Sequence, residues 1–262
     1  DIIVRAEIHE LAFCLGAYLI YMILKPKKNI AFVILLALTL FCFISAFKRI
    51  GMVAIVIALF FGVMLKFISK YSKKAAMNLA MFFTVLIILL LIGYIALIKM
   101  NAFELLEQIG IDTSGRANIY NAVSKYYDFS PGFLGNGIGF LTYQLSSNIH
   151  IGVASVHNDF LQYFIDLGFW GYIMWLVSMT LLRVKYFGAN GNVESAIVTF
   201  ALLVYLIVVS LTDNTMNYPL LTAVLAILMS GCGFDKQVRT AETKMFGYVS
   251  EPNKYKGGNS LL

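Results

Sequence analysis

The sequence predicts an all-α polytopic membrane protein with about seven transmembrane helices and one large extracytoplasmic loop. Of its 262 residues, 60% are hydrophobic and only 13% are charged, with a mean hydropathy of +0.81. Soluble domains are about half apolar and about a quarter charged, so a bilayer is the natural solvent for this much apolar surface. Apolar runs of the length that crosses a hydrocarbon core recur along the chain. The loops between these runs also differ strongly in their Lys and Arg content.

The apolar runs divide the chain into four parts that together form one membrane domain. The seven runs are residues 7–24, 30–47, 51–68, 77–98, 159–182, 195–212 and 217–234. The parts are residues 1–98 with the first four helices, 99–158 as a polar extracytoplasmic loop, 159–234 with the last three helices, and 235–262 as a cytoplasmic tail. The first run is the least regular, because Glu7, His9 and Glu10 stand at its start.

Basic residues give the orientation of these runs. Fourteen of the 20 Lys and Arg residues fall on one side of the predicted membrane and six fall on the other. Cytoplasmic loops carry the excess of Lys and Arg, so the side with fourteen is the cytoplasmic one. The loop 99–158 and the turns 45–50 and 212–218 are therefore expected to face outward.

Three basic residues on the outward side are candidates for binding an anion. Lys48 and Arg49 lie in a short turn against the charge trend, where they either snorkel to lipid phosphates or bind an anionic substrate group. The planar guanidinium of arginine suits phosphate because it donates two parallel hydrogen bonds. Arg116 follows Thr113 and Ser114, which are typical helix caps. A helix start with an arginine forms an anion-binding corner, and the alternative is an exposed loop arginine.

A glycine-rich turn, Gly135-Asn136-Gly137-Ile138-Gly139, follows in the same loop. It lacks the preceding strand, the following helix and the distant acid of a dinucleotide-binding loop. Glycines also allow a backbone to pass close to a ligand. Gly137 and Gly139 are therefore candidate substrate-binding positions.

The strongest cluster is His157-Asn158-Asp159, where the loop re-enters the membrane. Histidine exchanges protons near neutral pH, so His157 is the candidate base. Asp166 lies in the outer half of the next run, where an unpaired acid costs about 2.5–3.5 kcal/mol, so it is expected to face protein or water. Asn158, Asp159 and Asp166 are candidate substrate-binding residues. The structural alternative is that His157 caps the following helix or hydrogen-bonds Asp166.

Two kinds of ligand are not expected. No further ligands stand at zinc spacing around His157, so the sequence predicts neither a metal site nor a cofactor. The basic residues form short clusters between apolar runs, without the basic stripe and aromatics of a nucleic-acid surface.

The order of these motifs resembles the O-antigen ligase and O-antigen/capsular polysaccharide polymerase superfamily. An arginine ends an outward turn, a loop opens with S-G-R and continues through G-x-G-x-G, and H-N-x-x-L is followed by an acid and G-x-x-G. The resemblance covers about residues 34–220. Members normally have further spans before this region, so the chain is expected to correspond to the carboxyl-terminal part of the fold.

The resemblance implies a transmembrane fold of the GT-C type and a metal-independent glycosyltransferase with a polyprenyl-diphosphate-linked donor. Such enzymes act at the outer face of the bacterial cytoplasmic membrane. Carried over to this sequence, Arg49 and Arg116 would hold the diphosphate and His157 would be the catalytic histidine. The turn reads Phe-Lys-Arg where Ser-Arg is common, so Lys48 is expected to share the role of Arg49. Apart from the resemblance, the positions of Asp159 and Asp166 shortly after His157 lead us to expect that these carboxylates orient it.

The expected reaction is inverting transfer that joins lipid-linked repeat units into O-antigen, capsule or exopolysaccharide. A ligase that passes the glycan to a lipid or protein acceptor has the same layout and remains an alternative. A lipid-linked glycan flippase needs charge near the midplane, whereas the charges here are near the outer surface. A structural subunit without chemistry also remains open. Expected partners are the lipid-linked donor, a glycan or lipid acceptor, membrane lipid and polysaccharide assembly proteins.

Overall fold

The computed structural model describes residues 2–46, 48–113, 115–147, 155–189 and 193–231, and in these ranges it contains helices and no strands. The helices are α1 (Ile2–Leu24), α2 (Ile30–Ser45), α3 (Arg49–Tyr71), α4 (Lys73–Lys99), α5 (Ala102–Gln108), α6 (Arg116–Val123), α7 (Phe140–Ser147), α8 (Asp159–Val177), α9 (Arg183–Ala189), α10 (Val193–Ser210) and α11 (Pro219–Gly231). A π-helical turn, Ser178–Leu182, joins α8 to α9.

Each of the seven predicted apolar runs coincides with a helix to within a few residues. Four helical stretches are long and apolar enough to cross a membrane: Arg49–Tyr71, Lys73–Lys99, Asp159–Tyr186 and Val193–Ser210. Three apolar helices are shorter: Glu10–Leu24, Ile30–Ser45 and Pro219–Gly231. The all-α membrane architecture is confirmed, and the number of seven crossings stays a prediction.

Capping groups define where several of these helices begin. The side chains of Asn29 and Ser72 accept hydrogen bonds from the first turns of α2 and α4, at 2.7 and 3.2 Å, which satisfies otherwise unpaired N–H groups. Pro219 begins α11, a position at which its missing N–H costs nothing. The Glu10 carboxylate accepts from the N–H of Leu220 at 2.6 Å. An acid within α1 therefore caps another helix.

Helix α10 is the centre of the bundle. Nearly all of its side chains are buried, and its long contacts are with α3, α1 and α4. Helix α3 approaches it closely through small residues such as Ala54, Ala58 and Gly62, the pattern by which helices pack in membranes. The other faces of α3 and α4 expose Val, Leu and Phe side chains, as lipid-facing helices do.

The polar loop is folded onto the ends of α4 and α8. Its helices α5, α6 and α7 and a 3-10 turn at Ser124–Tyr126 share a second apolar cluster with these two helices. Lys99 at the end of α4 donates to the carbonyls of Ser124 and Tyr127, at 2.9 and 2.7 Å. These bonds satisfy carbonyls that follow α6 and hold the first half of the loop in place.

Candidate functional site

The helix that follows His157 is broken about two and a half turns into its length, at Gly168. At Gly168 the backbone has φ 74° and ψ −179°, a conformation that is open almost only to glycine. The N–H of Phe169 donates to the carbonyl of Phe133 at 2.9 Å instead of continuing the helix. The carbonyl of Ile165, freed by the break, accepts from the N–H of Asn136 at 3.1 Å. The glycine turn therefore supplies partners that the helix itself lacks.

Asp166 joins the same turn to α7. Its Oδ2 accepts from the N–H of Gly139 at 2.8 Å and its Oδ1 accepts from the N–H of Leu141 at 3.1 Å, which caps the start of α7. The Asp166 carbonyl accepts from the N–H of Gly137 at 2.9 Å. The turn thus closely approaches the backbone of α8, and Asp166 binds the N–H groups of the two glycines that were expected to face a ligand.

His157 has an exposed side chain on a constrained backbone. Its φ of 49° lies in the left-handed region, which is uncommon for residues other than glycine and is concentrated at functional sites. Half of the side-chain surface is exposed, and Nδ1 lies 4.0 Å from Oδ1 of Asp213. This distance is too long for a direct hydrogen bond but makes Asp213 the carboxylate neighbour of the imidazole. The expected neighbours, Asp159 and Asp166, are bound to other groups.

Asp213 links the histidine to the outward turn of Lys48. Oδ2 lies 3.5 Å from the Lys48 Nζ, and Oδ1 accepts from the Asn214 N–H at 2.9 Å and the Tyr218 hydroxyl at 3.1 Å. Burial raises the pKa of Asp213, but His157, Lys48 and these donors outweigh burial and lower the pKa to about 2. The carboxylate is therefore ionised at neutral pH.

Arg116 reaches the same turn from α6. It is the first residue of that helix, as the S-G-R motif predicted, and Gly115 before it has φ +78°. Its Nη2 donates to the carbonyl of Thr212 at 3.2 Å, one residue before Asp213. Its Nε is buried and has no hydrogen-bond partner in the part of the chain that the structure describes. A buried guanidinium N–H without a partner is costly, and an anionic ligand would satisfy it.

Arg49 stands beside Lys48 as the first residue of α3, with an exposed side chain. The structure therefore brings Lys48, Arg116 and His157 to the single turn at Thr212–Asp213, and Arg49 is next to one of them.

Asn158 is enclosed below the histidine. It is fully buried, and its Nδ2 donates to the hydroxyls of Tyr94 and Tyr120, both at 2.9 Å. Its Oδ1 accepts from the N–H of Leu161 at 3.1 Å and caps α8. Burial raises the pKa of Tyr120, so that hydroxyl stays protonated. Asn158 joins α4, α6 and α8 to one another, a different placement from the expected contact with substrate.

Asp159 is likewise enclosed. Its side chain is fully buried, and Oδ2 accepts from the hydroxyl of Thr215 and the N–H of Met216, both at 3.0 Å. These bonds fix the turn that carries Asp213. Asp159 therefore positions Asp213 through that turn and does not hydrogen-bond to His157 itself.

Two parts of the site were not among the site residues predicted from the sequence. For the turn containing Asp213, Asn214 and Tyr218, the sequence allows two interpretations: ordinary turn chemistry, which it favours, and residues that line the cavity. The signal for the second interpretation is the predicted position of the turn on the same side of the membrane as Lys48. Tyr94 and Tyr120 carry no local motif. The described residues contain no group of three or more His, Cys, Asp or Glu side chains that could hold a metal ion.

The chemistry available at this site is proton exchange and anion binding. An exposed imidazole beside an ionised carboxylate can accept a proton and be stabilised once charged. Cations from α3 and α6 can stabilise negative charge that develops nearby.

A family model described as O-antigen ligase matches residues 32–176. This is more than half of the chain and includes Lys48, Arg49, Arg116 and His157, whereas Asp213 lies beyond the match. The comparison with curated proteins gave no significant match, and neither did the comparison with solved structures. Together with the apolar helices, the family match makes the chain an integral membrane protein and a glycosyltransferase-like enzyme that handles glycans. The chain belongs to the O-antigen ligase family.

Proposed function

We propose that the protein is an inverting glycosyltransferase that joins polyprenyl-diphosphate-linked repeat units into a surface polysaccharide. The observation that carries the proposal is the convergence of His157, Lys48 and Arg116 on one turn, since the reaction needs a base and cations together. The bacterial cytoplasmic membrane is the proposed location, with the loop 99–158 outside the cytoplasm. The unequal distribution of Lys and Arg supports this orientation.

In the proposed reaction, a hydroxyl of the acceptor glycan attacks the anomeric carbon of the donor. The bond from that carbon to the diphosphate oxygen breaks, and its electron pair leaves with polyprenyl diphosphate. His157 accepts the hydroxyl proton through its imidazole. Asp213, ionised and 4.0 Å away, would stabilise the resulting imidazolium.

The diphosphate leaves as a stable anion and therefore needs cations more than it needs an acid. Arg116 and Arg49 are the proposed diphosphate ligands. The unpartnered Nε of Arg116 is a donor suited to a phosphate oxygen. Lys48 is the proposed bridge between the two parts of the site, because its ammonium group contacts Asp213 and its neighbour is Arg49.

A second candidate function is that of a ligase, which passes the finished glycan to a lipid or protein acceptor. The description of the matching family favours it. Both reactions use the same donor and the same base, so they differ only in the acceptor.

The test is to incubate the purified protein with lipid-linked repeat units alone and to size the products. A ladder of longer glycans on the lipid carrier would support polymerisation. Transfer that requires an added lipid or peptide acceptor would support the ligase, and no transfer with any acceptor would refute both proposals.

The role of His157 is tested in the same assay. We expect His157→Ala and His157→Gln to lower turnover by roughly 100-fold or more while donor binding stays intact, because a positioned base contributes about that much. His150→Ala, which changes the other histidine of the same loop, is the matched control. Near-native turnover in either His157 variant would remove this residue from the mechanism.

The orientation is tested separately in intact cells. A cysteine introduced at Asn118 or Asn148 should react with an impermeant thiol reagent. Reaction only after permeabilisation would place the loop in the cytoplasm and would contradict the proposed orientation and the site residues assigned from it.

A further inference from the structure

The glycine turn, defined as residues 133–139, packs against α8 at Gly168, and the length of the candidate spanning helix Asp159–Tyr186 gives an estimate of the depth of this contact. Arg183 and Lys185 are exposed near one end of the helix Asp159–Tyr186, and charged residues at a helix end lie at the level of the headgroups. Gly168 is fifteen residues from Arg183, which corresponds to about 22 Å of helix. For a helix that crosses a hydrocarbon core about 30 Å thick along its normal, with Arg183 at one boundary, the contact lies roughly 8 Å inside the opposite boundary.

Several backbone groups of this segment are paired with protein groups, as a lipid environment favours. Irregular backbone is tolerated at membrane depth only where its polar groups find partners in the protein. The N–H groups of Asn136, Gly137 and Gly139 donate to oxygens of Ile165 and Asp166, at 2.8–3.1 Å. In return, the carbonyl of Phe133 accepts from α8. A loop surrounded by water would not need this degree of pairing.

Two side chains of the same turn are large, apolar and almost fully exposed. Leu134 is 84% exposed and Ile138 is 87% exposed, more than any other large hydrophobic residue described. Trp170 and Met174, four residues apart on one face of α8, are exposed just beyond the break. The backbones of Leu134 and Gly168 touch, so the apolar surface of the turn continues that of the helix.

From these observations we propose that residues 133–139 form a re-entrant turn that inserts Leu134 and Ile138 among the acyl chains of the bilayer. The turn closes the break in α8 with its backbone and presents its side chains to lipid. The protein–lipid boundary therefore includes part of the polar loop as well as the spanning helices.

Site-directed spin labelling of the full chain tests this surface. Cys14, Cys42 and Cys232 are replaced by alanine, and a spin label is attached to Leu134→Cys or Ile138→Cys. The protein is reconstituted in vesicles of phosphatidylethanolamine and phosphatidylglycerol without any glycan donor, so hydrocarbon contact can come only from the bilayer. Collision of the label with oxygen, which dissolves in hydrocarbon, is compared with collision with a water-soluble nickel chelate.

Two matched positions calibrate the result. Leu89→Cys lies on an exposed face of α4 in mid-span, and Asn118→Cys lies on the exposed face of α6 in the same loop. We expect labels at 134 and 138 to collide with oxygen several times more often than with nickel, as at 89, and the label at 118 to show the reverse.

Nickel-dominated collision at both 134 and 138 would overturn the proposal, because the turn would then face water. Poor access for both reagents would also overturn it, because the side chains would then be covered by protein such as a second copy of the chain. The thermal midpoint of each labelled protein is compared with that of the cysteine-free parent. If a label at one of the two positions, 134 or 138, unfolds the protein, the collision ratio at the other position tests the proposal.

Discussion

Gly168→Ala is the sharpest test of how α8 and the polar loop depend on each other. The substitution adds one methyl group at a point where two backbones touch. An added Cβ would lie 2.2 Å from the carbonyl carbon of Leu134 and 2.4 Å from the nitrogen of Gly135. Backbone atoms cannot rotate away as side chains do, so the glycine turn must separate from the helix.

The expected loss has two parts. The backbone conformation at Gly168 costs about 1–3 kcal/mol for any residue with a Cβ. Separation also breaks the hydrogen bonds that join the glycine turn to the α8 backbone, each worth about 1 kcal/mol net: Phe169 to Phe133, Asn136 to Ile165 and Gly137 to Asp166. The sum is about 4–6 kcal/mol, which exceeds the effect of most single substitutions.

Thermal unfolding of the purified protein measures this loss. For a chain of this size each kcal/mol lowers the midpoint by about 2–4 °C, so a fall of roughly 10–20 °C is expected. Gly93→Ala is the control, because Gly93 lies inside α4 and an added Cβ meets nothing within 4 Å. That change should be neutral or stabilise the protein by up to about 1 kcal/mol. If the thermal midpoint of Gly168→Ala lies within 2–3 °C of the parent, the loss of stability is only about 1 kcal/mol, and the reasoning is refuted.

Three further predictions concern the site itself. Arg116→Lys and Arg49→Lys should each weaken donor binding by roughly 10- to 100-fold, which is the contribution of a charge-assisted hydrogen bond, because lysine cannot reproduce the bidentate contact. Arg183→Lys is the control. Unchanged donor KM and turnover in both variants would instead favour the interpretation that these arginines snorkel to lipid phosphates. Activity should survive EDTA, and loss of turnover that one divalent ion restores would show a metal requirement. Asp213→Asn should lower stability at pH 7 by about 2 kcal/mol, since the folded pKa of about 2 lies below the ordinary 3.8. That contribution is fully present above pH 4 and is lost as the pH falls toward 2, so a difference in thermal midpoint that does not shrink over this range would contradict the prediction.

The helices could be predicted from the sequence because the bilayer imposes a simple rule on length and hydropathy. Each apolar run became a helix, since a chain in lipid must satisfy its backbone internally. The ends differ by a few residues because caps such as Asn29 and Ser72 lie just outside the apolar runs.

The partners within the site could not be predicted, because proximity along the chain is a poor guide to contact. Asp159 and Asp166 were expected to orient His157 because they follow it closely. Asp166 is nine residues further on, which places it more than two helical turns below the imidazole. Asp213 pairs with Lys48 across 165 residues, and no local pattern encodes that distance.

The glycine turn shows a different limit. Its composition correctly indicates a close approach of backbone to some other group. The identity of that group depends on the break at Gly168, and a single glycine within an apolar run does not distinguish a break from a packing contact.

The pairing of the glycine turn with α8 has a consequence for biogenesis. The turn leaves the ribosome before the helix that completes it, because Asn136 precedes its partner Ile165 by 29 residues. Until Ile165 and Asp166 have been synthesised and inserted, the N–H groups of the turn have only water as partners. In the proposed orientation the polar loop therefore crosses the membrane before its fold is complete, and the arrival of α8 supplies the backbone partners of the glycine turn.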